Sequence, residues 1–338
     1  MLRETVISVK SLVESEKAQE NASAPAFDTP REAAGEAAFI ADAAQRALKH
    51  LLQKRVKKFV ALASEVRGNA DPKIIHDVRV WSRRLQQAVT AFFPKPRSGK
   101  VQRLRRMPRR VRRALGEWRN CDVLLEMVQR AQRRTRSETK QRAWVFVREY
   151  LLDKRSKEIN RAENKLCHQD LDGYADVAQH ALNQSPREDP LGAIRRLNES
   201  LGRAWSEWQS ALARAQETRE IGDLHAFRIA TKVVRYRTEL LVDLGDKRRK
   251  AELNRLTALQ EVIGVWHDRQ VLHQAVAEAV ARREVLLNEL PKARVLLAEV
   301  EKQRSHDPED VAKIFRLATE HLKQSDGGER LLPERRAA

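Results

Sequence analysis

Two short blocks of this 338-residue sequence each occur twice, in the same order and at almost the same spacing. The run His76-Asp-Val-Arg79-Val-Trp-Ser-Arg83 returns 149 residues later as His225-Ala-Phe-Arg228-Ile-Ala-Thr-Lys232. It keeps the histidine, a cation three residues on, a β-branched residue at the fourth place and a cation at the seventh. Leu115-Gly116-Glu-Trp118-Arg119-Asn120, with Val123 and Leu124, returns after 148 residues as Ile263-Gly264-Val-Trp266-His267-Asp268, with Val271 and Leu272. Two ordered blocks at matching offsets mark a tandem duplication, so the two halves should fold alike.

What each half folds into follows from its periodicity. Asp71-Pro72 supplies an N-cap and a first-turn proline. Beyond them Ile74, Val78, Trp81, Leu85, Val89 and Phe92 step by three or four, which predicts one apolar helical stripe. His76, Arg79 and Arg83 fall on the opposite side within an arc of roughly 60°, and Pro94 and Pro96 close the helix. An earlier helical stretch runs from Phe39 to the Gly68-Asn69 break. Others are predicted near 99–131, 138–169, 190–218, 221–244, 247–287 and 307–324. Strand alternation is nearly absent, and Gly and Pro are scarce, 12 and 11 residues. The predicted class is all-α. Gly173, Ser185-Pro186 and Asp189-Pro190 mark the joint between halves. The expected organisation is a tail over 1–35, a first half over 36–185, a second over 186–325 and a C-terminal tail over 326–338.

Charge narrows the partners. The chain carries 66 Lys and Arg against 47 Asp and Glu, while 41% of it is apolar, so it is built to fold and to bind anions. Residues 71–150 hold 22 of those cations against 7 carboxylates, which is fifteen of the nineteen excess charges. Within them Arg103, Arg106, Arg110 and Arg113 form a second stripe, leading to Gly116. Guanidinium forks donate paired hydrogen bonds to phosphate oxygens, so dense arginine suits phosphate-bearing anions. A helical arginine stripe is also a common solvated face. His76 stands apart from His50, His168, His180, His273, His306 and His321 because it lies among cations and recurs as His225. Trp81, Trp118 and Trp266 are assigned to core packing, and the sequence predicts no cofactor and no metal site.

With two cysteines, no apolar run of about 18 residues and no signal-peptide layout, the sequence predicts a cytoplasmic protein without membrane contact.

The repeated motifs, H-x-x-R-V-x-x-R-R-L with L-G-x-x-R-x-x-D-V-L and H-x-x-R-I-x-x-K-x-x-R-Y with I-G-x-x-H-D, resemble the CHAD domain, the conserved histidine α-helical domain, over roughly residues 36–325. The resemblance implies two pseudo-symmetric four-helix bundles whose His, Arg and Lys faces line a basic cavity, and it implies binding of inorganic polyphosphate. The contacts implied are His76, Arg79, Arg83 and Arg84 from the first half and His225, Arg228, Lys232, Arg235 and Tyr236 from the second. Arg119 and His267 with Asp268 fill the second motif. Gln86, Val233 and Asn120 depart from the family pattern. CHAD domains are often fused to a triphosphate-tunnel enzyme with an E-x-E-x-K strand. Here Glu14-Ser-Glu16 is followed by Lys17 and no β-rich segment, so a stand-alone protein is expected.

The functional expectation is a polyphosphate-binding module that docks onto polyphosphate granules and is not an enzyme, with Arg106, Arg110 and Arg113 adding to the site. Phosphoryl transfer normally uses a carboxylate-held metal or a glycine-rich loop, and neither pattern occurs. The alternative is a basic helical nucleic-acid-binding protein, although no helix-turn-helix, zinc finger or RNA-binding aromatic motif is visible.

Overall fold

A computed structural model of the chain describes residues 30–326 apart from 67, 70, 94–98 and 185–189. Every regular element among them is helical. They are α1 (Pro30–Glu65), α2 (Pro72–Phe92), α3 (Gly99–Ala114), α4 (Gly116–Arg134), α5 (Glu138–Cys167), α6 (Asp172–Gln184), α7 (Pro190–Thr218), α8 (Ile221–Asp243), α9 (Lys250–Val280), α10 (Arg283–Asn288), α11 (Leu290–Arg304) and α12 (Asp307–Asp326). The closing prolines 94 and 96, the joint residues 185–189, and most of both expected tails lie outside the described residues.

The first repeat block lies on α2 and its copy on α8; the second lies at the α3–α4 junction and within α9. Helix α1 packs on α2, α2 on α3, α3 on α6 and α6 back on α1, while α7, α8, α9 and α12 close a second ring in the same way. The rings do not have separate cores. One apolar cluster runs unbroken from Leu52 and Phe59 of α1 through Trp118 and Trp208 to Ile314 of α12. A second cluster joins the distal helices, with Trp144, Val147 and Leu151 of α5 against Val276 of α9 and Leu296 of α11.

Several local expectations are corrected. Helix α1 begins at Pro30, ahead of both the expected boundary at 35 and Phe39. Its opening Pro-Arg-Glu-Ala-Ala has helical propensity and a first-turn proline but no apolar period to reveal it. It stops at Glu65, before Gly68, which takes a φ of 76°. Helices α6 and α11 are absent from the sequence-based expectation: α6 forms across Gly173, where the joint is expected, and Pro291 reads as a breaker but sits in the first turn of α11. On α2 the buried side is turned toward Ile75, Val78, Ser82, Leu85 and Val89, leaving Ile74 and Trp81 half-buried at its edge. Trp81 lies under the Arg84 guanidinium, 4.9 Å from its ring centre.

Helix α3 carries a buried proline at its centre. Pro108 has no N–H to offer the carbonyl of Leu104. The buried hydroxyl of Tyr174 on α6 donates to that carbonyl at 2.8 Å, so the lost rung of the helix is replaced from a neighbouring helix.

The halves are locked by charge where α2 meets α8. Arg84 Nε donates to Glu239 Oε1 at 2.6 Å, and Arg235 reaches the other oxygen of Glu239 at 3.4 Å while its Nε donates to Gln260 at 2.7 Å. Buried Arg55 of α1 adds hydrogen bonds of 2.6 Å to Asp243 and to the Arg84 carbonyl.

Candidate functional site

Helices α2 and α8 pack against each other, and each buries an equivalent side: Ile75, Val78, Ser82 and Leu85 on one, Leu224, Phe227, Thr231 and Val234 on the other. At about 100° per residue, this leaves His76, Arg79 and Arg83 on the same face of α2 that His225, Arg228 and Lys232 occupy on α8. The second repeat block comes up beside them. Arg79 Nη1 donates to the carbonyl of Arg112 at 2.7 Å, at the end of α3, and lies 3.6 Å from the position a β-carbon would take on Gly116. Arg112 in turn reaches Ser82 Oγ at 3.5 Å. In the second half the rings of His225 and His267 stack 5.4 Å apart, and His267 Nδ1 lies 3.3 Å from Asp268.

Arg79 acts across the junction on Lys232, and Arg83 acts most widely on both faces. Its charge bears on His76, Arg79 and Arg112 of the first half and on Arg228 and Lys232 of the second. The field is unbalanced. Burial, followed by the charges of Arg228, Arg83 and Arg79, pushes the Lys232 ammonium down to about 7, with Asp268 opposing. Burial and neighbouring cations bring Arg79 and Arg112 each to about 10. His76 is held below its ordinary value by burial and then Arg119, and His225 by burial and then His267. The Nε of Arg228 is buried and meets no acceptor among the described residues.

A cationic face of this kind, half-buried and short of acceptors, disfavours its own charged state. An anion with several oxygens would supply the missing acceptors and relieve the repulsion between like charges.

The sequence-predicted residues divide into three groups. His76, Arg79, Arg83, Arg119, His225, Arg228, Lys232 and His267 come together. Arg84 and Arg235 are held by Glu239 in the clamp between the halves, with Arg235 also over the ring of Tyr236, 4.0 Å from its centre. Tyr236 is buried, close enough to Arg112 to influence its charge. Arg106, Arg110 and Arg113 are exposed on the outer face of α3 and do not converge on the groove. Arg112 is the groove residue that sequence reasoning misses. It sits one residue from the predicted stripe, on the flank of α3 beside buried Val111, and only the packing of α3 on α2 turns that flank inward.

A separate cleft of about 590 Å³ opens beside the clamp, lined by His50, Lys54, Trp81, Arg84 and Glu239 among others. None of the eight converging residues lines it. His273, one of the histidines the sequence sets apart from His76, is buried and lies with its Nε2 3.2 Å from the side-chain oxygen of Gln303. No helix among the described residues is long and apolar enough to cross a membrane.

Comparison with known proteins places this geometry. A family model described as CHAD domain matches residues 17–277, beginning before the resemblance read from the motifs and ending within α9. The crystal structure of the CHAD domain from the plant Ricinus communis is similar with a TM-score of 0.56 at 19% identity, over 81% of this chain and 90% of that one. PptA from Streptomyces chartreusis is similar with a TM-score of 0.63 at 16% identity, over 82% of this chain and 99% of that one. At these identities the likeness is one of fold. No curated protein matches the sequence.

Proposed function

Because this chain belongs to the CHAD domain family, which is associated with polyphosphate, we propose that the groove between α2, α8 and the α3–α4 junction binds inorganic polyphosphate. The observation that carries this reading is the packing of α2 on α8 through equivalent sides, which leaves His76, Arg79 and Arg83 of one repeat on the same face as His225, Arg228 and Lys232 of the other.

Polyphosphate is a flexible chain with about one charge per phosphate and no bases. It needs a fixed row of donors and nothing that reads an edge. Arg79, Arg83, Arg119 and Arg228 offer forks for paired hydrogen bonds, while Lys232 and the histidines add point charge and single donors. Binding releases counterions from the polymer, so affinity falls steeply with salt. The role that follows is docking, in the cell onto polyphosphate granules, and the proposed module performs no catalysis.

The test is a competition between long-chain polyphosphate and duplex DNA at equal charge concentration, over a salt series. A duplex is a rigid rod whose grooves and backbone are far wider than a single phosphate chain. Polyphosphate should win at physiological salt. Equal or tighter binding of DNA would replace this reading with a nucleic-acid-binding one.

A further inference from the structure

Helix α3 holds seven arginines and one lysine in sixteen residues, with no carboxylate. Like charges three and four residues apart on a helix destabilise it. Elsewhere on the surface the chain interleaves the two signs, as in Arg130 with Glu126, Arg142 with Glu138 and Lys157 with Asp153. On α3 it does not. Nor does the fold require such a helix. The residues standing 148 places after Arg105, Arg106, Arg109 and Arg110 are Leu253, Asn254, Thr257 and Ala258, none of them charged.

The placement of these cations is ordered. Leu104, Met107, Pro108 and Val111 form the buried side. Arg112 stands on the flank that reaches Ser82 and the groove. From it a row runs back through Arg109 to Arg105, climbing about 10 Å along the helix, with Arg106 and Arg110 beside it on the outer face. Among the described residues none of Arg105, Arg106, Arg109 and Arg110 makes an ion pair. Arg103, beyond them, is paired with Asp170, which ends the free row.

We propose that Arg105, Arg106, Arg109 and Arg110 form a second track, continuous with the groove at Arg112, that holds the part of a long polyphosphate chain the groove leaves outside. This rests on the polyphosphate reading of the groove. The track exists in one half only, so the protein grips the polymer asymmetrically and favours long chains over short ones by contact as well as by statistics.

The experiment compares tripolyphosphate with long-chain polyphosphate on the full chain and on the variant Arg105→Gln, Arg106→Gln, Arg109→Gln, Arg110→Gln. Glutamine keeps helical propensity and removes charge. Tripolyphosphate affinity should stay within about twofold, which also shows that the variant folds, on the scale where tenfold is a clear loss. Long-chain affinity should fall about tenfold or more. The slope of log affinity against log salt should become shallower by about 2 to 3, at roughly 0.7 for each phosphate no longer neutralised, as for a single strand. Unchanged long-chain affinity and slope in this variant, with binding weakened about tenfold or more in Arg83→Ala, would overturn the track and leave the groove standing. A wild-type protein that binds neither ligand would overturn the groove and the track together.

Discussion

Arg79 and Arg83 look interchangeable in the sequence, two arginines on one polar helix face, yet the fold gives them different duties. Arg79 donates to the Arg112 carbonyl in the last turn of α3, so it closes a helix end as well as facing the groove. Replacing it with alanine should cost about 1.5 to 3 kcal/mol of stability, the range for a hydrogen bond to a charged group. Arg83 makes no ion pair among the described residues, and its removal relieves Arg79, Arg112, Arg228 and Lys232 of a like charge. Arg83→Ala should therefore leave the melting temperature unchanged or slightly raised, while weakening polyphosphate binding by about 1.5 to 3 kcal/mol through the loss of charge-assisted hydrogen bonds. Thermal melts and titrations on the same preparations separate the two. If Arg83→Ala melts earlier than Arg79→Ala and binds normally, Arg83 is a structural residue. Spacing made the histidines, Arg79, Arg83, Arg228 and Lys232 legible, because the repeat shows each position twice. It could not separate Arg84 and Arg235, since both depend on Glu239 and on α2 meeting α8, a contact between residues 155 positions apart.

At the scale of elements, periodicity shows a helix best when one side is buried and the other wet. Helices α2 and α8 satisfy this in their first halves. Past Val234, α8 is covered on several sides at once, with Arg235, Tyr236, Thr238, Glu239, Leu240 and Leu241 all buried, and a single-stripe reading fails there. Helix α3 poses the opposite difficulty. A helix is expected there, within 99–131, but its interior proline costs it a rung, and what replaces that rung is the hydroxyl of Tyr174 on a distant segment. Tyr174→Phe keeps the ring, which meets Phe59 edge-on with centres 5.8 Å apart, and removes only the donor. The Leu104 carbonyl is then left without its partner, and the cost should be about 1 to 3 kcal/mol. Denaturant unfolding measures it. Because α3 carries both Arg112 and the outer arginine row, the same variant should also loosen long-chain binding. A Tyr174→Phe protein as stable as the wild type would mean that the interrupted rung needs no replacement.

Taken as a whole, the molecule places the cations of two halves closer together than either half would tolerate alone, and Lys232 registers the consequence. Burial first, and then Arg228 on its own helix and Arg83 and Arg79 across the junction, hold its ammonium at about 7 against an ordinary 10.5, with Asp268 on α9 opposing. Between those two values the unfolded chain holds a proton that the folded protein lacks. The stability of the free protein should therefore rise with pH across that window, and the penalty of the buried charge is fully present below it. A bound polyanion reverses the preference by favouring the ammonium. Binding near pH 8 should take up close to one proton, and affinity should fall as pH rises from about 7, by at most about tenfold per unit for a single linked proton. Titration calorimetry in two buffers of different ionisation enthalpy reads the uptake directly. Lys232→Arg keeps the charge on a group that stays protonated, so it should abolish the uptake near pH 8 and flatten the pH dependence there while preserving binding. His76 and His225 are also held low, and they extend the linkage in the same direction below pH 7, with affinity rising as the solution is acidified. Heats of binding that are identical in both buffers at pH 8 would mean that Lys232 is already charged in the free protein, in spite of its burial and its cationic neighbours.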